Sequence, residues 1–224
     1  MKAAVGIFVL GLIAYSATLI AIELNTSQDY VRHYFSDIEG VVPFYAINTT
    51  LSTVLLAGAA LLLVFSALTN TASELRRCRW LLISQAAMFG FLAFDDRFQL
   101  HEALAWRIGI DDHFIMLFWA VAEAGLLLGL CRLDRVSVRT ALLFAVGGAF
   151  SFVMMVFDNF VPHAKVLRLS IEDLAKTWAA AAFLGAAWFA ARFHLGLDPN
   201  DRTLADLLRD LRNNGSGAIS PRAS

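Results

Sequence analysis

Long apolar stretches alternate with short polar segments along most of the chain. Six of these stretches approach or exceed the ~20 residues that an α-helix needs to cross the hydrocarbon core of a bilayer. We therefore expect an all-α fold, a polytopic membrane helix bundle of about six transmembrane helices. The predicted helices cover 3–23, 44–67, 80–97, 114–131, 140–160 and 169–193.

A different pattern follows the sixth stretch. We divide the chain into a six-helix transmembrane domain, 1–197, and a tail, 198–224. In the tail, leucines recur at i, i+3, i+4 and i+7 from Leu204 to Leu211, with charged residues between them. This spacing predicts a short amphipathic helix over 201–212. The Asn-, Gly- and Ser-rich residues after Asn213 predict a disordered end.

Composition supports the membrane interpretation. Hydrophobic residues make up 58% of the 224, more than one soluble core can hide. The net charge of -1 provides no basic surface for nucleic acid, so we expect none as a partner. The expected partners are membrane lipids, with a membrane protein or a second copy of the chain as a further possibility. The first apolar run is longer than the core of a signal peptide, so we interpret it as an uncleaved helix.

The distribution of positive charge predicts orientation. Arginines concentrate in the segments 69–79 and 132–139 and in the tail, which the six-helix plan places on one side. The positive-inside rule makes that side cytoplasmic, with both termini there. The long outer loop, 24–43, carries Asp29, Asp37 and Glu39. We expect a multi-pass protein of the bacterial inner membrane.

Acidic and histidine side chains gather at the outer helix ends under this topology. Carboxylates with one to three histidines form a ligand set for zinc, iron, manganese or copper. Such a divalent metal at a membrane boundary could activate water to hydrolyse a lipid-like substrate. The predicted metal ligands are Asp96, His101, His113, Asp158 and Glu172. The residues assigned to catalysis are Glu102, Glu123 and Asp173.

Depth separates these residues. At 1.5 Å per residue, Glu123 lies roughly 15 Å from the start of its helix, near mid-membrane. Glu172 and Lys176 are spaced i, i+4, which favours an ion pair between them. The residues nearer the membrane boundary could instead be a solvated helix end with an Arg–carboxylate network.

Two further functions compete with a metal-dependent hydrolase, so the sequence leaves open whether the protein is an enzyme. Ionisable residues inside spans are typical of proton, cation or small-solute transporters. The amphipathic tail and the small residues of the sixth helix also fit a non-catalytic subunit or assembly factor.

The segment from Asp95 to Glu102, DDRFQLHE, resembles a DDxFxLHE pattern of uncharacterised bacterial multipass membrane proteins. The resemblance covers one helix end and implies no particular activity. The convergence of Asp, His and Glu at one end is loosely similar to the ceramidase-like membrane hydrolases. Those proteins have seven helices and a late HxxxH pair, whereas this chain has about six predicted helices and no HxxxH.

Overall fold

The computed structural model describes residues 2–31, 35, 47–69, 76–162, 167–198 and 201–216. Within these ranges the chain is helical, apart from turns and one isolated bridge between Ser137 and Thr203. The predicted all-α class is confirmed for the described residues. The helices are α1 (Lys2–Asn25), α2 (Gln28–Val31), α3 (Ile47–Thr69), α4 (Arg76–Phe98), α5 (Leu100–Ile108), α6 (Asp112–Leu130), α7 (Val138–Phe160), α8 (Arg168–His194) and α9 (Leu204–Ser216).

Five of these helices are long and apolar enough to cross a membrane: α1, α3, α6, α7 and α8. Helix α4 has the same length as α3, but it begins with three arginines within four residues and has Asp95, Asp96 and Arg97 in its last turn. Charge at both ends lowers its apolarity below that of the other five. Five candidate spans are therefore established where the sequence predicts about six.

Helix α8 is the centre of the bundle. It packs against α7 on one side and α3 on another, and α3 in turn packs against α4. The buried face of α8 is rich in alanine, from Ala179 to Ala182 and again at Ala186 and Ala187. Small side chains allow close approach of neighbouring helix backbones. A trio of Phe89, Phe144 and Phe183 fills the space between α4, α7 and α8.

The outer helices expose their apolar side chains. Helices α6 and α7 are only slightly buried by the rest of the molecule. Phe118 and Leu128 of α6 and Phe152 of α7 are each more than 60% exposed. Such large exposed apolar surfaces are rare on soluble monomers and are expected of helices surrounded by lipid.

The two ends of the bundle differ in charge. The polar end contains the last residues of α1, α4 and α7 and the first residues of α3, α6 and α8. The arginine-rich end contains the opposite helix termini, a 3₁₀ turn at Leu133–Arg135 and α9, which contacts that turn and α7. Most of the loop 24–43, including Asp37 and Glu39, and the chain after residue 216 lie outside the described residues.

Candidate functional site

Polar side chains from six helices gather at the polar end, and we call them the polar cluster. Each of its members makes a hydrogen bond or an ion pair, in most cases to another helix. The cluster consists of Tyr15 and Glu23 of α1, Asn48 and Ser52 of α3, Asp95 and Asp96 of α4, His101 of α5, Asp158 of α7, and Arg168, Ser170, Glu172, Asp173 and Lys176 of α8.

Asp96 and Lys176 form its central ion pair. The Lys176 ammonium lies against Asp96 Oδ1, while the Ser52 hydroxyl donates to Oδ2 of the same carboxylate. The Asp96 side chain is only 6% exposed. One carboxylate therefore connects α3, α4 and α8. Lys176 also interacts electrostatically with Asp173 and Glu172, which precede it on α8.

Asp173 belongs to a second chain of contacts across the bundle. Asn48 Nδ2 donates to Asp173 Oδ2 at 3.1 Å, and the Tyr15 hydroxyl donates to Asn48 Oδ1. Asn48 and Asp173 are both buried. This arrangement satisfies the buried Asn48 and Asp173, as their burial in an apolar bundle requires, together with the half-buried Tyr15 of α1.

Arg168 holds the start of α8 to the end of α7. Its guanidinium lies 3.0 Å from Asp158 Oδ1 and 3.3 Å from Glu172 Oε2, and it donates to the Phe157 and Asp158 carbonyls. Its side chain is 3% exposed. The predicted Glu172–Lys176 pair is therefore replaced, because Glu172 pairs with Arg168 and Lys176 pairs with Asp96.

Glu23 caps the beginning of α8. Its Oε1 accepts from the Leu167 backbone N–H at 2.8 Å, and its Oε2 accepts from the Ser170 hydroxyl. Leu167 adopts a left-handed conformation with φ 66°, which costs a non-glycine residue of order 1–3 kcal/mol. A carboxylate at a helix N-terminus offsets part of that cost, since it satisfies a free N–H and complements the helix dipole.

Asp95 performs the same role for α5. Gln99, with φ 49°, turns the chain between α4 and α5 and brings His101 back towards Asp95. The His101 backbone N–H donates to Asp95 Oδ1 at 2.8 Å, and its ring Nδ1 lies 2.7 Å from Oδ2. Burial lowers the pKa of His101, but the hydrogen bond and charge of Asp95 outweigh burial and raise it above 6.5.

Glu102 lies at the exposed edge of this region. Its side chain is about half exposed and accepts from Gln99 Nε2 at 3.3 Å. Burial and the nearby charge of Asp112 raise its pKa, while His101 acts in the opposite direction. Electrostatic interactions also link it to Lys176 and Asp158, so it stands near the polar cluster.

Two predicted site residues make their contacts outside the cluster. The His113 ring contacts its neighbour Phe114, with centroids 4.3 Å apart. Glu123 lies within α6, where Gln85 Nε2 of α4 donates to its Oε1 at 2.6 Å. The structure thus brings together Asp96, His101, Glu102, Asp158, Glu172 and Asp173, and it separates Glu123 from them.

Within the described ranges, no group of three or more His, Cys, Asp or Glu side chains is positioned to hold a metal ion. The reason is local pairing. Asp96 is engaged by Lys176, His101 by Asp95, and both Asp158 and Glu172 by Arg168. These side chains are close in space, but they satisfy one another.

Sequence reasoning did not assign Tyr15, Glu23, Ser52, Arg168 or Ser170 to the site. One available signal was the polar run from Asn48 to Thr53 at the start of the otherwise apolar α3. Arg168 gave no such signal, because an arginine at the predicted start of a span is ordinary. Its burial follows from the packing of α7 on α8.

A family described as "Domain of unknown function (DUF8692)" matches residues 4–192. The chain belongs to this family. The match extends across α1 to α8 and so includes every helix of the polar cluster, while α9 lies beyond it. This agrees with the expected resemblance to uncharacterised proteins, whereas no ceramidase-like similarity is found. No curated protein and no solved structure matches the chain.

Proposed function

We propose that this protein is a proton- or cation-linked transporter of the bacterial inner membrane, with six spans and its polar cluster on the periplasmic side. Helix α4 is the sixth span, since it has span length and packs between α3 and α6. The concentration of arginines at the opposite end supports cytoplasmic termini.

The Asp96–Lys176 ion pair carries the proposal. A charge within a span costs ~2.5–3.5 kcal/mol on insertion scales, so ionisable groups there are uncommon and mark ion or proton pathways. Here the pair connects α4 to α8, and α3 contributes Ser52 to the same carboxylate. A proton or a small cation that reached Asp96 would compete directly with the Lys176 ammonium.

Lys176 has a second set of partners within its own helix. Asp173 and Glu172 precede it by three and four residues, spacings that put side chains on one helix face. Released from Asp96, the ammonium would turn towards these carboxylates. Occupation of Asp96 would then loosen the contact between α4 and α8, which gives ion binding a means to change helix packing.

A polar pair lies between the cluster and the cytoplasmic end. Gln85 is nine residues from the start of α4, and Glu123 is eleven residues into α6. At 1.5 Å per residue, both lie about 13–17 Å from their helix starts, near mid-membrane. The Glu123 carboxylate therefore lies at a depth that a transported proton must cross.

The metal-dependent hydrolase is less well supported by the same geometry. A metal would have to displace Lys176 from Asp96 and Arg168 from both of its carboxylates before it gained its ligands. Displacement of Arg168 leaves a buried cation without its partners, which is costly. Ion exchange at Asp96 needs only one of these contacts to change.

Reconstituted liposomes test the proposal. Purified protein would be sealed into vesicles that contain a pH-sensitive dye, and proton, sodium and potassium gradients would be applied in turn. We expect the wild-type protein to carry a gradient-driven flux. Asp96→Asn and Lys176→Gln should each reduce this flux to the rate of protein-free vesicles. Asp134→Asn, which removes an exposed carboxylate at the arginine-rich end, is the matched control and should retain flux.

Two results of this experiment would contradict the proposal. Wild-type vesicles that dissipate none of the three gradients faster than empty vesicles would overturn the proposal. Flux that Asp96→Asn leaves intact would overturn the role of the ion pair.

A further inference from the structure

A cavity of about 260 Å³ lies in the other half of the bundle, towards the arginine-rich end. Its walls come from the first halves of α4 and α7 and the last parts of α6 and α8. Most of its lining is apolar, including Leu82, Phe89, Leu127 and Phe144. The cavity is separate from the polar cluster, but its lining includes Gln85, the hydrogen-bond partner of Glu123.

The cavity faces the lipid side of the bundle. Helix α6 packs on α4 and α5, whereas α7 packs on α8, so the two consecutive helices α6 and α7 border a gap. Ala145 of α7 lines the cavity and is exposed. Leu128 of α6, next to the lining residue Leu127, is 87% exposed. An occupant that enters through this gap comes from the hydrocarbon layer.

Positive charge marks the end of the cavity nearest the helix termini. Arg135 forms part of the lining there, beside Ser137, Thr140 and His194. Asp134 is shared between Arg135, at 3.6 Å, and Arg132, at 3.0 Å. One carboxylate between two guanidiniums leaves a net positive charge at the level where a lipid headgroup would lie.

We propose that this cavity binds an anionic phospholipid from the adjacent leaflet, with one acyl chain against the apolar lining and its phosphate at Arg135. The apolar lining suits an acyl chain, and the positive charge at Arg135 suits the phosphate. The gap between α6 and α7 lets such a molecule enter from the bilayer. Helix α9 contributes to the same site, because Leu204 lines the cavity and its N–H donates to the Val136 carbonyl at 2.9 Å. The tail helix thereby closes one side.

Native mass spectrometry of the purified full chain tests this site. Dioleoyl phosphatidylglycerol and dioleoyl phosphatidylcholine, which have the same acyl chains, would be titrated separately. We expect tighter binding of the anionic lipid. Arg135→Gln should weaken it about five-fold, since one arginine near an anionic headgroup contributes ~1 kcal/mol. Arg135→Lys should retain most of the preference, as should Arg209→Gln, a charge-matched change in the exposed tail.

A second pair of variants tests the cavity itself. Ala145→Trp places a large side chain in the gap, whereas Ala149→Trp puts the same side chain on an exposed position one turn further along α7, outside the lining. We expect only Ala145→Trp to lose lipid binding. If that variant does not fold, the Arg135 variants decide the question.

Several results would overturn the assignment. These are equal binding of the two phospholipids by the wild type, oleate binding as tightly as phosphatidylglycerol, or undiminished binding by folded Ala145→Trp. A wild-type dimer that Ala145→Trp converts to a monomer would show that a second copy covers the gap instead.

Discussion

Lys176 of α8 forms an ion pair with Asp96 of α4, across a site where α3 contributes the Ser52 hydroxyl. Helices α4 and α8 each pack on α3, and this pair adds a direct link between them. The contact satisfies two charges that the surrounding apolar helices cannot solvate. The Asp96 carboxylate therefore depends on Lys176, whereas Lys176 also interacts with Asp173 and Glu172.

Removal of one partner should destabilise the protein strongly. Lys176→Met leaves the Asp96 carboxylate buried without its cation, which we expect to cost about 3–5 kcal/mol of unfolding free energy. The double variant Lys176→Met with Asp96→Asn should recover much of this loss, because no unpaired charge remains. Reversible denaturant unfolding in detergent micelles would measure both.

The control for this pair is Asp134→Asn. Asp134 also pairs with arginine, but both partners are about half exposed, so its loss should cost less than about 1 kcal/mol. A double variant that is no more stable than Lys176→Met alone would contradict the dependence of the Asp96 carboxylate on Lys176.

The stability of the α4–α5 turn should depend on pH through His101. Asp95 raises the pKa of His101 above 6.5 in the folded protein, and Glu102 and Asp112 add to this effect. A group whose pKa is higher in the folded than in the unfolded protein contributes its full stabilisation at pH values below its unfolded pKa. This stabilisation is lost as the pH rises through the folded pKa. The melting temperature should therefore fall as pH increases upward from 6.5.

His101→Gln should reduce the fall of the melting temperature above pH 6.5, because glutamine can accept or donate a hydrogen bond but does not titrate. His113→Gln changes a histidine at the same end that contacts Phe114 instead of a carboxylate, and it should leave the slope in place. Thermal scans of the three proteins between pH 5.5 and 8.5 make the comparison. An unchanged slope in His101→Gln would show that another group titrates.

Close packing of α7 on α8 should make two adjacent glycines respond oppositely to alanine. A Cβ on Gly147 would lie 2.5 Å from Phe183 Cε1, and that ring is held between Phe89 and Phe144. Because the ring cannot move freely, Gly147→Ala should cost roughly 1–3 kcal/mol.

Gly148→Ala is the matched change on the same helix. Nothing lies within 4 Å of a Cβ at Gly148, so alanine should be neutral or stabilise the helix by up to ~1 kcal/mol. Unfolding free energies of the two variants test the packing directly. Equal effects at both positions would contradict the α7–α8 contact.

The existence of helices and their apolar character could be predicted from sequence, because both depend on local features. Runs of apolar residues about 20 long are sufficient to specify a spanning helix, whatever it packs against. The same holds for α9, where the leucine spacing alone indicates an amphipathic helix. The charged ends of α4 could also be read from the sequence. Whether α4 crosses the membrane, however, depends on the helices that it packs against.

The partners of the ionisable residues could not be predicted in this way. From spacing alone, Glu172 should pair with Lys176, since i, i+4 residues are neighbours on an isolated helix. In the folded protein, α4 brings Asp96 to Lys176, and Glu172 pairs instead with Arg168, which is also four residues away on α8. The contact between helices therefore decides which of the two local pairs forms. The turn at Gln99 likewise directs His101 towards Asp95, away from a shared metal site.

The sequence by itself therefore determined an all-helical, lipid-compatible chain with its carboxylates and histidines near one end, because periodicity, apolarity and charge are properties of local segments. Only the tertiary structure decided which of those groups meet. Ion pairing inside an apolar bundle depends on distances of 3–4 Å between residues far apart in sequence, and helix packing alone sets those distances.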